Sequence, residues 1–414
     1  MAHGTPGHDE YRAARHDRAR PVSSAEAPWP EARRIAAGAA LPLPATSLPL
    51  ARAHGLILAE GLPALVDLPP FATSAMDGWA VAGPGPWKIT GRVLAGESSE
   101  QLGDGEAVEI ATGARLPHSA SSVLRREHGL VTESGRLEGA DLAIGTDIRP
   151  QGQESRRGEL LLPPGTPVTP AVLGLAAAAG YDFLPVHERP RVALIVIGDE
   201  LAASGLPDGS HIRDALGPML TAWLAVLGVE TVTAHVPDDA AAVLAAVASS
   251  PADLVVTTGG TARGPVDHVH TILAQLGARL LVDGVMVRPG HPMLLAEHGG
   301  TRRHRRFVAG LPGNPLAAVA GFVTLVRPLI HRFEGRTGDN DSRAVSLFQP
   351  IRDAVPGHPE DTRLVPVSLT DGFAVPLRFA GPAMLRGLAR ADGLAVIPPR
   401  SGAAAGQWVE VLPT

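Results

Sequence analysis

The sequence contains no cysteine. Disulfide bonds, thiolate zinc sites and a cysteine nucleophile are therefore excluded, and this composition is typical of a reducing compartment. Aromatic residues make up only 4% of the chain, so its cores must consist mainly of alanine, valine and leucine. Lysine is almost missing as well, since Lys88 is the only one. Arginine has replaced lysine throughout the chain, and a single Arg-for-Lys difference therefore carries little information.

Long hydrophobic runs are also missing. The longest uninterrupted apolar stretch, residues 315–326, is shorter than the roughly 18 residues that a membrane-spanning helix needs. The first 20 residues are polar and of mixed charge, which is not the pattern of a signal peptide. The net charge of −6 argues against broad nucleic-acid binding. We expect a soluble, cytoplasmic protein that contacts neither membranes nor nucleic acid.

The 414 residues are too many for one ordinary core, and changes of pattern along the chain predict several domains. Residues 1–27 show no hydrophobic period and predict a flexible N-terminal arm. Short β-like runs separated by glycine and proline predict a β-rich domain over residues 64–148. The same pattern returns over residues 342–414 and predicts a C-terminal β-barrel domain.

Two separate segments, residues 28–63 and 149–188, predict one discontinuous domain that links or dimerises the chain. Its expected helices lie near residues 29–40, 48–61 and 170–180.

An α/β domain is predicted over residues 189–336. Continuous apolar runs such as RVALIVI and DLVVTT alternate with helical segments, one of them with Asp238 as the expected N-cap. This alternation favours a parallel, doubly wound sheet. The predicted fold class is thus multidomain α+β. A central doubly wound α/β domain is flanked by two small β-barrel-like domains and by the discontinuous domain of helices and extended strands.

Three segments of the α/β domain directly follow apolar strands: the first loop (residues 197–201), the second loop (residues 257–264) and the third loop (residues 310–315). Because the carboxyl ends of parallel strands meet at one edge of a sheet, these loops are expected to converge there. Glycines let backbone N–H groups approach an anion, and a helix N-terminus adds partial positive charge. The candidate ligand-binding residues of the loops are Gly198, Asp199, Gly259, Gly260, Thr261, Arg263, Gly264, Pro312, Gly313, Asn314 and Pro315.

Each loop also has a purely structural interpretation. Strand-end glycines often only make turns. Asp199 and Glu200 suit the entry of a helix, where the dipole stabilises an acid. Asp267 suits the N-cap of the helix that follows it.

A fourth segment, residues 68–80, joins the first helical region to the β-rich domain. It places one carboxylate, Asp77, among dense turn-forming residues, which is unusual for a linker. The structural alternative is an ordinary Asp-Gly turn between two strands.

Six strings of this sequence occur together in one known family. They are PPFATSAMDGWA (residues 69–80), TGARLP (112–117), GDEL (198–201), GGTARGPVD (259–267), PGHP (289–292) and LPGNP (311–315). In this order they resemble the MoeA-type molybdopterin molybdenumtransferases, which include the E domain of gephyrin. The resemblance covers nearly the whole chain after the arm, and the SAMDG and LPGNP strings are highly specific.

The resemblance implies an enzyme of molybdenum cofactor biosynthesis. Such enzymes take adenylylated molybdopterin and molybdate, release AMP and insert the metal, with a divalent cation such as Mg²⁺. They work as homodimers with shared active sites, in which the SAMDG-bearing domain of one subunit completes the α/β pocket of the other. Partner proteins of cofactor biosynthesis are also implied.

The catalytic residues that the resemblance implies are Asp77, Thr112, Glu200, Asp214 and Asp267. Cleavage of a phosphoric anhydride needs neutralised phosphate charge and a positioned nucleophile, which suits these residue types. Asp267 and Glu200 are the candidate Mg²⁺ ligands. Arg288 is expected to clamp an oxyanion with two hydrogen bonds.

The sequence departs from the family where an oxyanion should be held. The family's Lys-Pro-Gly-Lys-Pro is replaced by residues 288–292, called here the RPGHP segment, in which Arg288 keeps a permanent charge. His291 does not, because an imidazole is largely neutral at pH 7. Two hydroxyl donors are lost at Ala262 and Ala317, for which Thr261 and Arg263 are nearby replacements. The family's Asp-Ser-Asn turn keeps only its acid, Asp214.

These departures leave two further functions open. The first is a divergent paralogue that binds molybdopterin without inserting metal, favoured by the lost oxyanion donors. The second is molybdopterin adenylylation, which the flanking β-rich domains disfavour.

The basic run at residues 301–306 predicts a solvated hairpin tip. The alternative is that its positive charges attract the ligand.

Overall fold

The computed structural model describes residues 26–94, 96, 101–207, 209–261, 268–301, 305–336 and 347–414. Residues 1–25 of the predicted arm lie outside this part. The last residues assigned to the arm are ordered, because the short strand Ala27–Pro28 pairs in parallel with Val285 and Met286. The predicted end of the arm is therefore too late in the chain.

The α/β domain is built on a six-stranded sheet. Its hydrogen-bonded order is Glu230–Val236, Arg191–Ile197, Leu254–Thr258, Arg305–Leu311, Leu294–Gly300 and Arg279–Asp283. The first four strands are parallel and the last two are antiparallel to their neighbours. The predicted parallel sheet thus has an antiparallel edge.

Helices cover both faces of this sheet. Alternate residues of a strand point to opposite faces, and Leu194 and Val196 pack in one core while Ile195 and Ile197 pack in another. The helices are Leu216–Val226, Ala240–Ser249, His268–Gln275, Pro315–Gly321 and Arg327–Phe333, with a π-helical stretch Phe322–Val326 between the last two. The doubly wound arrangement and the predicted multidomain α+β class are confirmed.

One predicted helix cap was wrong. The helix Ala240–Ser249 is capped by Asp239, whose side chain accepts a hydrogen bond from the Ala242 amide at 2.9 Å. Asp238 lies one residue too early to reach that amide, and its backbone N–H donates to Asp199 instead at 3.4 Å.

The longest helical stretch, Pro315–Phe333, is apolar and long enough to cross a membrane by composition, but 78% of its most apolar part is buried inside the protein. It is the central helix of the larger core. Trp29, on the helix Trp29–Gly38, donates a hydrogen bond to Thr324 within this stretch at 2.9 Å.

The helix Trp29–Gly38 therefore packs on the α/β domain, although the sequence grouped it with the discontinuous domain. That domain contains the strand pairs Ala45–Pro49 with Phe183–His187 and Leu62–Pro63 with Leu160–Leu162. Its helix Pro170–Ala178 matches the prediction. The helix predicted over residues 48–61 was wrong: only Leu50–Ala53 is helical, and Ile57 and Leu58 form isolated β-bridges with Pro167 and Val186.

The β-rich domain contains a six-stranded sheet. Its order is Ser122–Arg125, Gly78–Val81, Glu106–Ile110, Trp87–Val93, Arg136–Glu138 and Leu130–Val131. Short strands complete the described part of this region: Thr73–Ser74 pairs with Ile148–Arg149.

The C-terminal sheet is shared with the α/β domain. Its order is Ala27–Pro28, Val285–Arg288, Thr362–Thr370, Gly393–Ile397, Trp408–Pro413 and Leu347–Pro350, and Phe373–Pro376 pairs with Thr362–Thr370. A four-residue helix, Leu385–Leu388, precedes the strand Gly393–Ile397. Parallel pairing of Val287 with Thr362 and of Arg288 with Arg363 joins the two domains. The RPGHP segment therefore lies at the domain boundary.

The basic run lies at a hairpin. Gly300 pairs with Arg305 across the antiparallel strands that flank it. Residues 302–304 fall outside the described residues.

Candidate functional site

The first, second and third loops converge at the carboxyl edge of the α/β sheet. The Gly259 amide donates to the Leu311 carbonyl at 2.9 Å, which joins the second loop to the strand before the third. A Cβ on Gly259 would lie 3.4 Å from the Ile197 carbonyl, and one on Gly313 would lie 3.7 Å from the Gly259 Cα. Three neighbouring parallel strands end here, so the sequence-based expectation of one shared rim agrees with the geometry.

The first loop presents two exposed acids. Asp199 accepts the Asp238 amide at 3.4 Å, and Glu200 lies beside Gly198 with its side chain exposed. Among the described residues, Glu200 is hydrogen-bonded only through its backbone: its carbonyl accepts the Ile212 amide at 2.8 Å. Its carboxylate is therefore open to a ligand at the rim.

The second loop is described only as far as Thr261. Gly259 and Gly260 are half-buried, Thr261 is buried, and Arg263, Gly264 and Asp267 lie outside the described residues, as does Ala262. The roles expected of these residues remain predictions.

The third loop leads into the central helix. Pro312 is buried, Gly313 and Asn314 are exposed, and Pro315 is the first helical residue. Asn314 occupies the N-cap position, but its side chain makes no capping hydrogen bond. The Leu316 amide donates to the Pro382 carbonyl at 2.9 Å, so the C-terminal domain covers part of this helix start.

Asp214 is buried, and its carboxylate is fully used. One oxygen accepts the Gly217 amide at 2.9 Å, at the start of the helix Leu216–Val226, and the other lies 2.9 Å from Nε2 of His235. Its side chain is 3% exposed. The arrangement stabilises the helix start and gives each carboxylate oxygen a partner, and the catalytic contact expected of Asp214 stays a prediction.

Asp77 and Thr112 form a local unit in the β-rich domain. The Thr112 amide donates to Oδ1 of Asp77 at 2.7 Å. This bond, followed by one from the Thr112 hydroxyl, lowers the pKa of Asp77 below its ordinary value, because both stabilise the ionised form. The nearby Arg126 guanidinium acts in the same direction. Both Asp77 and Thr112 are exposed, and the contacts described for Asp77 stay within its own domain.

Arg288 and His291 of the RPGHP segment each face an acid from elsewhere in the chain. Nε of Arg288 donates to Oδ2 of Asp361 at 2.7 Å, and Nε2 of His291 lies 2.9 Å from Oε1 of Glu26. Gly290 holds the segment against the central helix: it has φ +111°, and a Cβ there would lie 3.0 Å from the Ala317 carbonyl. Only glycine fits this close approach.

Sequence reasoning missed Asp361 and Glu26. Neither belongs to a motif of the segment, and they lie far from Arg288 and His291 along the chain. The only signal in the sequence was that Asp and Glu (42) outnumber Lys and Arg (36), so that there are enough acids for every cation to have a partner.

A cavity of about 800 Å³ opens at the opposite edge of the sheet. It is lined by residues at the amino ends of strands, such as Arg191, Glu230 and Asp253, and by the discontinuous domain. Parallel sheets bind ligands at their carboxyl ends, where the glycine loops and Glu200 lie. We therefore assign the candidate site to the carboxyl edge of the sheet, although the cavity of about 800 Å³ lies at the amino edge.

Three family models match the chain in the order of its domains. The MoeA N-terminal region (domain I and II) matches residues 19–180. A probable molybdopterin binding domain matches residues 193–332. The MoeA C-terminal region (domain IV) matches residues 350–414. The candidate loops thus fall within the match to the molybdopterin binding domain.

Curated relatives and solved structures agree with these matches. A molybdopterin molybdenumtransferase from Synechococcus elongatus is 34% identical over 72% of this chain and 77% of its own length. One from Staphylococcus aureus is 30% identical over 71% of this chain and 72% of its own length. The crystal structure of a molybdopterin biosynthesis MoeA protein from Pyrococcus horikosii has a TM-score of 0.79 and 27% identity, and the match covers 94% of this chain and 99% of that one.

Proposed function

This chain belongs to the molybdopterin molybdenumtransferase family, and we propose that it inserts molybdate into adenylylated molybdopterin and releases AMP. This is a transferase step of molybdenum cofactor biosynthesis. The observation that carries the proposal is the convergence of the first, second and third loops at one sheet edge, within the region that matches a molybdopterin binding domain.

The loops suit a phosphate-linked pterin. The backbone of Gly259, Gly260 and Gly313 lets a phosphate approach closely, and the Asn314 amide side chain is free of a capping bond and can bind a polar ligand group. Thr261 and Gly198 complete the proposed pocket, with Arg263 and Gly264 proposed from the sequence. Arg288 is proposed to hold an oxyanion. Its permanent positive charge would stabilise negative charge as the anhydride is cleaved.

Mg²⁺ is proposed to bind at Glu200, with Asp267 as a second ligand proposed from the sequence. Among the described residues no group of three or more potential metal ligands occurs. The site nevertheless fits Mg²⁺, which binds through one or two carboxylates and substrate phosphates and keeps several waters. The exposed Glu200 carboxylate meets this requirement. When bound, the ion would neutralise phosphate charge.

We further propose that the enzyme is a homodimer with shared active sites. Asp77 and Thr112 are exposed and contact only their own domain, which supports a role in completing the site of a second copy. There the ionised Asp77 would orient molybdate or water. A cytoplasmic location and contacts with other proteins of cofactor biosynthesis are part of the same proposal.

One observation favours a second candidate, a paralogue that binds molybdopterin without inserting metal. Arg288 is already paired with Asp361, and His291 lies against the carboxylate of Glu26, so an oxyanion meets less free positive charge there.

The deciding experiment uses the full chain with adenylylated molybdopterin, Mg²⁺ and molybdate. AMP release and formation of active cofactor are followed together. Molybdate-dependent AMP release supports the transferase. Binding of the nucleotide without such release would identify the non-catalytic paralogue. In a second incubation with molybdopterin, Mg²⁺ and ATP, adenylylation of molybdopterin would identify the adenylyltransferase.

A further inference from the structure

Arg288 and Asp361 form a pair that joins the α/β domain to the C-terminal domain. The Asp361 side chain is 7% exposed, whereas that of Arg288 is 55% exposed. The acid is thus buried inside the protein, whereas about half of the arginine side chain is exposed to solvent. The two residues are brought together by the parallel pairing of Val285–Arg288 with Thr362–Thr370.

Only one of the three guanidinium nitrogens is used in this pair. Nε donates to Asp361 at 2.7 Å, and among the described residues neither terminal nitrogen of Arg288 has a hydrogen-bond partner. A guanidinium is planar and carries its five N–H donors in a fixed fork. Because the group is rigid, the hydrogen bond at Nε restricts the positions that the two terminal nitrogens can take.

The backbone at Asp361 is itself held by a local turn. Nδ1 of His358 accepts the Asp361 amide at 3.0 Å and the Glu360 amide at 3.3 Å. Nδ1 also lies 3.4 Å from Oδ2 of Asp361. Because Nδ1 accepts two backbone N–H groups at the shorter distances, it carries no proton to share with the acid. His358 shapes the turn, and Arg288 is the cation that faces Asp361.

We propose that Asp361 is the positioning residue for Arg288: it fixes the guanidinium so that both terminal nitrogens can receive a tetrahedral oxyanion, molybdate, at the RPGHP segment. This rests on the proposed function. Lysine has a single terminal nitrogen and three rotating donors, so it cannot hold an acid with one group and grip an anion with a fixed fork. The pairing therefore gives a specific use to arginine at this position.

The test compares Asp361→Ala, which removes the acceptor, with Asp361→Asn, whose amide oxygen can still accept the Nε–H. Asp371→Ala is the matched control, because it removes another acid of the C-terminal domain from an ion pair, with Arg352 at 3.3 Å. The measurements on the full chain are molybdate affinity by calorimetry, the molybdate KM and kcat of AMP release, and the thermal midpoint.

We expect Asp361→Ala to weaken molybdate binding and raise the molybdate KM about tenfold, the cost of a misplaced clamp, with little change in kcat. Asp361→Asn and Asp371→Ala should stay near the wild type. Tighter molybdate binding in both Asp361 variants would overturn the proposal, because the acid would then be competing with the anion. A lower thermal midpoint with an unchanged molybdate affinity would also overturn it, since the pair would then only fasten two domains.

Failure of the proposed function gives a different result. A wild-type chain that binds molybdate without releasing AMP disproves the transfer step, while the affinities of the variants still decide the role of Asp361. A wild-type chain that binds no molybdate disproves both.

Discussion

The Asp77 loop and the RPGHP segment carry the charges of the proposed site in different ways. Asp77 is held by Thr112 of the same small domain, and its carboxylate is exposed and stays ionised. Arg288 and His291 face acids from distant parts of the chain, Asp361 and Glu26. The motifs named Asp77 and Thr112, which the structure brings together, but they do not contain the acids that face Arg288 and His291.

The difference teaches how far a motif can be transferred. A residue whose partners lie within the motif domain keeps its chemistry when the motif is kept. A residue at a domain boundary contacts partners that the motif does not contain. An acid among those partners neutralises part of its positive charge, and less of that charge is then available to a ligand.

The largest expected effect is at Asp77. Asp77→Asn keeps an oxygen for the Thr112 amide but removes the negative charge, and we expect AMP release to fall about 100-fold or more with an unchanged thermal midpoint. Asp67→Asn is the control, because Asp67 also accepts a backbone amide, from Arg157 at 2.8 Å, and should leave the rate unchanged. A wild-type rate in Asp77→Asn would remove this loop from the site.

Asp214 provides a buried third case. Asp214→Ala removes both the bond to the Gly217 amide and the contact with His235, and we expect a loss of about 1–2 kcal/mol in the free energy of unfolding. Asp239→Ala removes an exposed helix cap alone and should cost about 1 kcal/mol or less. Chemical denaturation measures both. Unchanged stability with lost turnover would make Asp214 a catalytic acid instead of a structural one.

At His291 the comparison predicts a dependence on Glu26. His291→Lys adds a positive charge and should lower the molybdate KM. We expect the decrease to be less than about fivefold, because the Glu26 carboxylate partly neutralises the new ammonium and both side chains are partly exposed. The double variant His291→Lys, Glu26→Gln should lower it further. Glu26→Gln alone is the control. No change in either lysine variant would show that the segment does not meet the oxyanion.

The smallest effect is a shift of the pH profile. The Thr112 hydroxyl helps to lower the pKa of Asp77, so the ionised form is present above that pKa and is lost as the pH falls through it. Thr112→Val keeps the backbone amide and removes the hydroxyl, so the acid limb of kcat/KM should move to higher pH while staying below the ordinary range of an aspartate. Thr90→Val, which removes a hydroxyl of the same sheet, should leave the limb in place. An unmoved limb in Thr112→Val would mean that Asp77 does not control it.

Much of the fold was accessible from the sequence because its signals are local. The strands Arg191–Ile197, Glu230–Val236 and Leu254–Thr258 are apolar or β-branched runs bounded by turn residues, and each formed where it was predicted. The helix expected over residues 48–61 ends at Ala53 because the chain beyond it bonds to a distant segment: Leu58 bridges Val186, and the Ala59 amide donates to the Pro185 carbonyl at 2.9 Å. The helix Trp29–Gly38 was assigned to the wrong domain for a similar reason, since its apolar face fits the central helix.

The sequence by itself determined the family, the doubly wound sheet and the three glycine loops at its edge, all of which depend on residues near one another in the chain or on strand order. Only the tertiary structure decided that Asp214 is buried with both oxygens bonded, and that Arg288 and His291 face Asp361 and Glu26. Strand pairing between domains creates these contacts, and the electrostatic partner of a side chain depends on distance in space, which separation along the chain does not specify.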